Sequence, residues 1–112
     1  TRNSGIAPQD VDAVEAHGAG DYLGDVVEAN SLLRAHRYQE TDPLGVSSVK
    51  TNVGHAQTCC GIVSFMKNMM ATQWGFMAAG QHLREANVHL DIDEAPIMLL
   101  TEHLSFPRRS SV

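Results

Sequence analysis

The sequence contains no run of roughly 18 to 20 apolar residues, so it offers no candidate for a helix that crosses a bilayer. It opens on Thr1-Arg2-Asn3, which does not begin a secretory signal, and a targeting peptide, if there is one, is expected outside this stretch. Basic residues are few and scattered: 8 Lys and Arg stand against 13 Asp and Glu, for a formal charge of -5 with the histidines neutral. A strand of phosphates would find no positive footprint here, which excludes nucleic acid as an expected partner and leaves an acidic, soluble domain.

Cysteine is also scarce. The two present, Cys59 and Cys60, are adjacent, and neighbours can bridge only through a strained ring that would distort a helix. Their spacing excludes a CxxC knuckle or redox pair, so they are expected to be free thiols in a reducing compartment, acting as small packing groups. Phosphate-binding loops are missing as well. Gly18, Gly20 and Gly24 lie between a predicted strand and a predicted helix, but a dinucleotide fingerprint needs glycine where Leu23 stands, and no Gly-Lys-Ser/Thr follows. His17, Asp21, Asp25 and His55 are chemically able to ligate zinc, yet nothing in their spacing selects that use, and no metal is assigned.

What is present suffices for one core: 43% of the 112 residues are hydrophobic. Residues 11–16 alternate apolar and acidic side chains and then enter a glycine-rich loop, the pattern of a short strand ending at a turn. Asp25 is placed to cap a helix carrying Val26, Val27, Ala29, Leu32 and Leu33, whose last turn, near His36 and Arg37, suits the helix dipole. Thr41-Asp42-Pro43 breaks the chain, and residues 44–49 predict a second strand leading into the polar loop 50–55. A second helix is predicted over about residues 58–74. Its Ile62, Phe65, Met66, Met69 and Met70 stripe, widened by Val63, predicts burial over much of its surface. Beyond Gly75 the pattern weakens to a loop reaching Gly80, scattered apolar residues at Leu83, Val88, Leu90 and Ile92, and a possible strand over 97–100. Alternating strands and helices predict α/β layers, but so few strands make a small open sheet with costly edges, as expected of part of something larger.

Each polar loop follows a predicted strand at its C-terminal end, where open α/β folds place ligands, and each contains a histidine. His17 is flanked by Gly18 and Gly20, which let a ligand approach the backbone; His55 precedes the second helix, whose first amides favour developing negative charge. Either histidine alone reads as an ordinary polar residue, whereas a pair at matched loop positions reads as a site. His36, His82, His89 and His103 lack such a setting and are assigned to the surface or to loops. Lys50 ends an apolar strand among Ser48, Thr51 and Asn52, and if buried it requires a carboxylate partner.

The segment from Val14 to Ala29, VEAHGAGDYLGDVVEA, resembles the ketosynthase stretch VEAHGTGTxLGDPIEA, and Ser48 to His55, SVKTNVGH, resembles SVKTNIGH. Cys60-Gly61-Ile62-Val63 with Met66-Lys67 is similar to the family's AAGIAGLIK helix, and a weaker likeness runs through Gln81-His82-Leu83 and residues 87–91 to Arg108-Arg109. Two long motifs in the right order are far more specific than a lone glycine pattern. The resemblance implies an α/β, thiolase-like layered fold of which residues 1–112 are a C-terminal half, without the final glycine-rich segment and without the half that carries the nucleophilic cysteine. It implies the activity of a beta-ketoacyl synthase: decarboxylative Claisen condensation of acyl thioesters with malonyl in polyketide biosynthesis. The alternatives are a fatty-acid synthase ketosynthase and a non-elongating module that only binds or passes acyl chains.

By the same resemblance, His17 and His55 are the histidines of a Cys-His-His site, Lys50 is the active-site lysine, Glu28 is the acid that pairs with it, and Asn52 supports the loop. No cofactor is bound; phosphopantetheine arrives on an acyl carrier protein. The implied partners are that carrier, acyl and malonyl thioesters, the remaining ketosynthase half and a second copy in a homodimer, in an intracellular setting, cytoplasmic or plastid. Ala19 and Asp21 replace two threonines that contact the pantetheine arm, which removes hydroxyl contacts and sets an acid where a malonyl carboxylate would approach. Asp21 is expected to point either into that pocket or outward to cap the first helix. Val26 replaces a proline, a change that a helix start tolerates.

Overall fold

The strand Leu44–Ser47 is the centre of the molecule. A computed structural model describes residues 3–39, 41–90 and 95–106. In it β1 (Ala13–Glu15), β2 (Leu44–Ser47) and β4 (Ile97–Leu99) form a parallel sheet in the order β1-β2-β4. The register pairs Glu15 with Ser47 on one side of β2 and Leu44 with Ile97 on the other. A parallel centre strand is covered on both faces and so needs a run of small and apolar residues, and Leu-Gly-Val-Ser supplies one: Leu44 is completely buried and Gly45 and Ser47 are buried beside it. Gly45 is required by space, because a Cβ there would meet Leu104 Cδ2 at 3.0 Å and both Ala13 Cβ and the Asp12 carbonyl at 3.3 Å.

Helix α1 (Gly24–His36) starts one residue before the expected cap. Asp21, not Asp25, supplies the side-chain acceptor: its Oδ2 accepts the Gly24 amide at 2.9 Å, and its carbonyl accepts the Asp25 amide at 3.1 Å. Asp25 lies inside the first turn, where an acid complements the dipole but is past the capping position. Arg37, just after α1, is buried, and its guanidinium donates to the carbonyls of Asp42, Val11, His36 and Pro8. One cation thereby ties the end of α1 to the chain entering β1 and to the chain entering β2.

After β2 come α2 (Lys50–Val53), a 3-10 turn and α3 (Cys60–Trp74). Two-residue strands β3 (Phe76–Met77) and β5 (Leu104–Ser105) pair antiparallel. The sequence predicts loop over residues 76–77, since a strand of two residues has no periodicity to read. The segment 81–90 is held by side chains: the Gln81 amide donates to Thr51 Oγ1 at 3.1 Å, Asn87 Nδ2 donates to the Tyr22 carbonyl at 2.8 Å, and the Tyr22 hydroxyl meets His89 Nε2. A cavity of about 630 Å³ lies beneath it against α1 and the sheet, walled by Leu32, Val46, Leu83, Leu90 and Leu99. The expected features at Asp91, Ile92 and Arg108-Arg109 lie outside the described residues.

The apolar stripe of α3 does not face the sheet, as its breadth suggested. Ile62, Phe65, Met66, Met69 and Met70 are each more than half exposed, and Ala71 is the one buried residue of the helix. The line turned inward is Val63, Lys67 and Ala71, spaced four apart, which is one face of a helix. A three-stranded sheet is too narrow to cover an apolar arc this wide. Among the described residues no helix is long and apolar enough to cross a membrane.

The chain by itself is therefore expected to bind an apolar-surface dye strongly and to self-associate, as large exposed apolar patches do. Phe65→Lys with Met69→Lys should abolish the association in sedimentation velocity while leaving the helical circular dichroism unchanged. A monodisperse wild-type monomer with little dye binding would contradict this.

Candidate active site

β1 runs straight into the first polar loop, since the Ala16 amide extends the ladder by donating to the Ser47 carbonyl at 2.8 Å. His17 follows at the surface and Gly18 turns the chain with φ +47°. A side chain at position 18 would be strained by that angle and would place its Cβ 2.9 Å from Ser48 Cβ. Glu28, one turn into α1, holds the loop from below: one carboxylate oxygen accepts the His17 amide at 2.6 Å and the other accepts the Gly18 amide at 2.9 Å. Two donors on one carboxylate make a strong, directional clamp.

This corrects the expected Lys50–Glu28 pair. Glu28 has both oxygens on backbone amides, and Lys50 instead donates its ammonium to the His17 carbonyl and lies 3.4 Å from His17 Nδ1. Lys50 is half-buried, so water still reaches it and the carboxylate demanded of a fully buried lysine is unnecessary.

His55 stands in the loop between α2 and the 3-10 turn before α3, and its Nδ1 accepts the Gln57 amide at 3.0 Å. The rings of His17 and His55 converge, with centroids 6.0 Å apart and planes at 89°. An Nδ1 that accepts a backbone N–H cannot itself carry a proton in the neutral ring, so the hydrogen-bond network assigns the His55 proton to Nε2. The Lys50 ammonium, which can only donate, lies 3.4 Å from His17 Nδ1 and favours the same tautomer there. The two rings are thus brought together from separate loops, one after β1 and one after α2, with Nε2 of each left free of these contacts.

Asn52 is exposed on α2, its Oδ1 3.4 Å from the Thr51 hydroxyl that donates to it. Ala19 is exposed, and Asp21 is engaged by the start of α1. Cys59 is exposed, against the expected packing role, and Cys60 is half-buried with its Sγ 3.6 Å from His55 Nδ1. Of the remaining histidines, His36 Nδ1 lies 3.3 Å from the Pro8 carbonyl, His82 is exposed, His89 meets Tyr22, and His103 accepts the Ala79 amide and meets Phe76 edge to face. Among the described residues no three His, Cys, Asp or Glu side chains group as metal ligands.

Sequence reasoning assigns no role to Glu15 and Lys67, which form the salt bridge under the site. Lys67 Nζ lies 2.7 Å from Glu15 Oε2, the two side chains being 9% and 1% exposed. Ser47 Oγ donates to the same carboxylate oxygen at 3.1 Å and takes a second bond from Lys67 at 2.7 Å, while Glu15 Oε1 accepts the Val49 amide. The signal was available: a lone acid between Val14 and Ala16, and a lone base within an apolar helix.

With that geometry in place, comparison with known proteins assigns the family. Residues 1–84 match the family described as beta-ketoacyl synthase, C-terminal domain, and the chain belongs to it. It is 38% identical over 107 residues to the polyketide synthase GfsE of Streptomyces halstedii, covering 94% of this chain and 3% of that protein. It is 36% identical over 104 residues to the erythronolide synthase EryA2 of Saccharopolyspora erythraea, covering 93% and 3%. The thiolase-like fold is shared with ketosynthase twelve of the bacillaene polyketide synthase of Bacillus amyloliquefaciens, at a TM-score of 0.88 and 28% identity over 98% of this chain and 20% of that one. The ketosynthase from module 1 of the bacillaene synthase of the same species superposes with a TM-score of 0.87 and 32% identity, again over 20% of its length. The chain therefore spans about a fifth of those ketosynthase chains and a few per cent of the synthases.

Removing one member of the Glu15–Lys67 pair should be severe, because it strands a charge in the interior: Lys67→Met is expected to cost about 3–5 kcal/mol in denaturant unfolding. Glu28→Gln should cost less, about 1–3 kcal/mol, since its amide nitrogen would face one of two backbone donors. Equal, small losses would show that neither carboxylate holds the loop.

Proposed function

We propose that this chain supplies two histidines and a lysine to a beta-ketoacyl synthase that extends acyl chains in polyketide assembly. In this reading residues 1–112 are the C-terminal part of a ketosynthase domain whose remaining half brings the cysteine nucleophile. The observation that carries it is the convergence of the His17 and His55 rings, 6.0 Å apart, with the Gln57 amide on His55 Nδ1 and the Lys50 ammonium beside His17 Nδ1, which leaves Nε2 of each ring to donate. When malonyl thioester loses carbon dioxide, the electron pair of the broken C–C bond is left as an enolate on the thioester oxygen. Two neutral imidazole donors stabilise that oxygen without first having to lose or gain a proton. The enolate carbon then attacks the acyl group held as a thioester on the cysteine, a new C–C bond forms, and the cysteine leaves as thiolate.

Lys50 acts on this chemistry through His17, holding its carbonyl and ring, and Glu28 fixes the same residue through its amide. The substrates in this reading are acyl and malonyl thioesters, the latter on the phosphopantetheine arm of an acyl carrier protein, and the functional unit is a homodimer in an intracellular, reducing setting that keeps Cys59 and Cys60 as thiols. Polyketide rather than fatty-acid assembly is supported by the relatives, which are polyketide synthases. Elongation rather than passive acyl binding is supported by Asp21, whose carboxylate is engaged by the first amide of α1.

The test uses a complete ketosynthase domain containing this chain. His55→Ala should lower malonyl decarboxylation by about 10²–10³-fold, the usual effect of losing one oxyanion donor, while acyl transfer to the cysteine persists. Unchanged decarboxylation would remove His55 from the mechanism. Asp21→Thr with Ala19→Thr should leave condensation within a few-fold and weaken α1 by about 0.5–2 kcal/mol; a large gain in condensation would instead identify a non-elongating module.

A further inference from the structure

We infer that Glu15, held by Lys67, is a positioning residue that sets Lys50 against His17. The contacts form a closed ring. Glu15 Oε1 accepts the Val49 amide, Lys50 follows Val49 in the chain, the Lys50 ammonium donates to the His17 carbonyl, and His17 lies two residues beyond Glu15. The first amides of a helix have no partner within it, and here the one that precedes Lys50 is satisfied by a carboxylate from the neighbouring strand. α2 therefore cannot slide or rotate against β1 without breaking either the Glu15–Val49 bond or the Lys50–His17 bond.

Lys67 holds the carboxylate in that role. With a side chain 1% exposed, Glu15 has no water to turn towards, and its second oxygen is fixed by Lys67 Nζ and Ser47 Oγ. Lys67 also stands on the helix that begins at Cys60, beside His55; seven residues of helix separate them, about 10 Å. One rigid element thus fixes both the carboxylate behind His17 and the chain that carries His55, so the two rings keep a common frame. The importance of the Lys50–His17 contact rests on the proposed ketosynthase reading, but the ring of contacts does not, and it can be tested without any condensation assay.

The experiment compares two variants of this chain with the same residue content, Glu15→Gln/Lys67→Met and Glu15→Met/Lys67→Gln, in long-range nitrogen–proton NMR spectra of the His17 imidazole, assigned by His17→Gln. Only the first keeps an acceptor for the Val49 amide, and neither leaves an unpaired charge. Lys50→Met defines the ratio of His17 tautomers when the contact is lost, expected to be about three- to tenfold lower in the Nε2–H form than wild type. The first variant should keep the wild-type ratio and the second should fall to the Lys50→Met ratio, with both folded by circular dichroism. A folded second variant with a wild-type ratio overturns the inference, as does a first variant that falls to the Lys50→Met ratio. If the second variant does not fold, Glu15→Leu/Lys67→Met, which likewise keeps no acceptor and no charge, takes its place in the same spectrum: the Lys50→Met ratio supports the inference and a wild-type ratio overturns it. Failure of condensation in the parent domain with the NMR result intact would count against the functional reading and not against this one.

Discussion

A carboxylate buried at the end of a parallel strand holds this structure in register. Glu15 is charged, nearly sealed from water, and bonded at once to an amide, a hydroxyl and an ammonium drawn from β2, the start of α2 and α3. Such a pair is a poor source of net stability, because desolvating two charges offsets much of their attraction. Its effect is discrimination. Any register that shifted β1 by one residue would turn Glu15 to the other face of the sheet and leave Lys67 alone in the interior, and that alternative is excluded by several kcal/mol.

The polar loops inherit their precision from this constraint. A loop carrying His17 has no regular hydrogen-bond ladder of its own, so its amides must be satisfied from elsewhere, and Glu28 satisfies two of them from α1. The same economy of donors explains the imidazoles. Each Nδ1 is engaged by protein, one by the Gln57 amide and one by the Lys50 ammonium, so the nitrogen each ring has left to offer is a donor. The two rings meet at 6.0 Å in the chain alone, held through their Nδ1 atoms.

The outward stripe of α3 belongs to the same picture. The helix uses Val63, Lys67 and Ala71 against its own sheet, and presents Phe65, Met66, Met69 and Met70 to the opposite side. The ketosynthase chains that superpose on this one are about five times as long.

The succession of strand, loop and helix, helix limits to within a few residues and the pairing of two loop histidines were legible in the sequence, because they depend on local patterns: alternation at residues 13–15, a polar break before Leu44, glycine after a strand. The family was legible for the same reason, its motifs being contiguous. What could not be read were choices between partners of equal chemistry far apart in the chain. Glu28 and Glu15 were both available to a lysine, and Lys50 and Lys67 to an acid; the strand register and the angle of α3, which no short window encodes, put Glu15 with Lys67 and left Glu28 to the backbone. Likewise the spacing of apolar residues marked α3 as amphipathic but could not say which side meets the sheet, since a three-stranded sheet is too narrow to cover the whole apolar arc and no short window encodes where the helix lands on it. Composition and motif by themselves determined the family and the two histidines; the tertiary structure alone decided which charges are paired, because desolvation penalises a charge according to where the whole fold buries it.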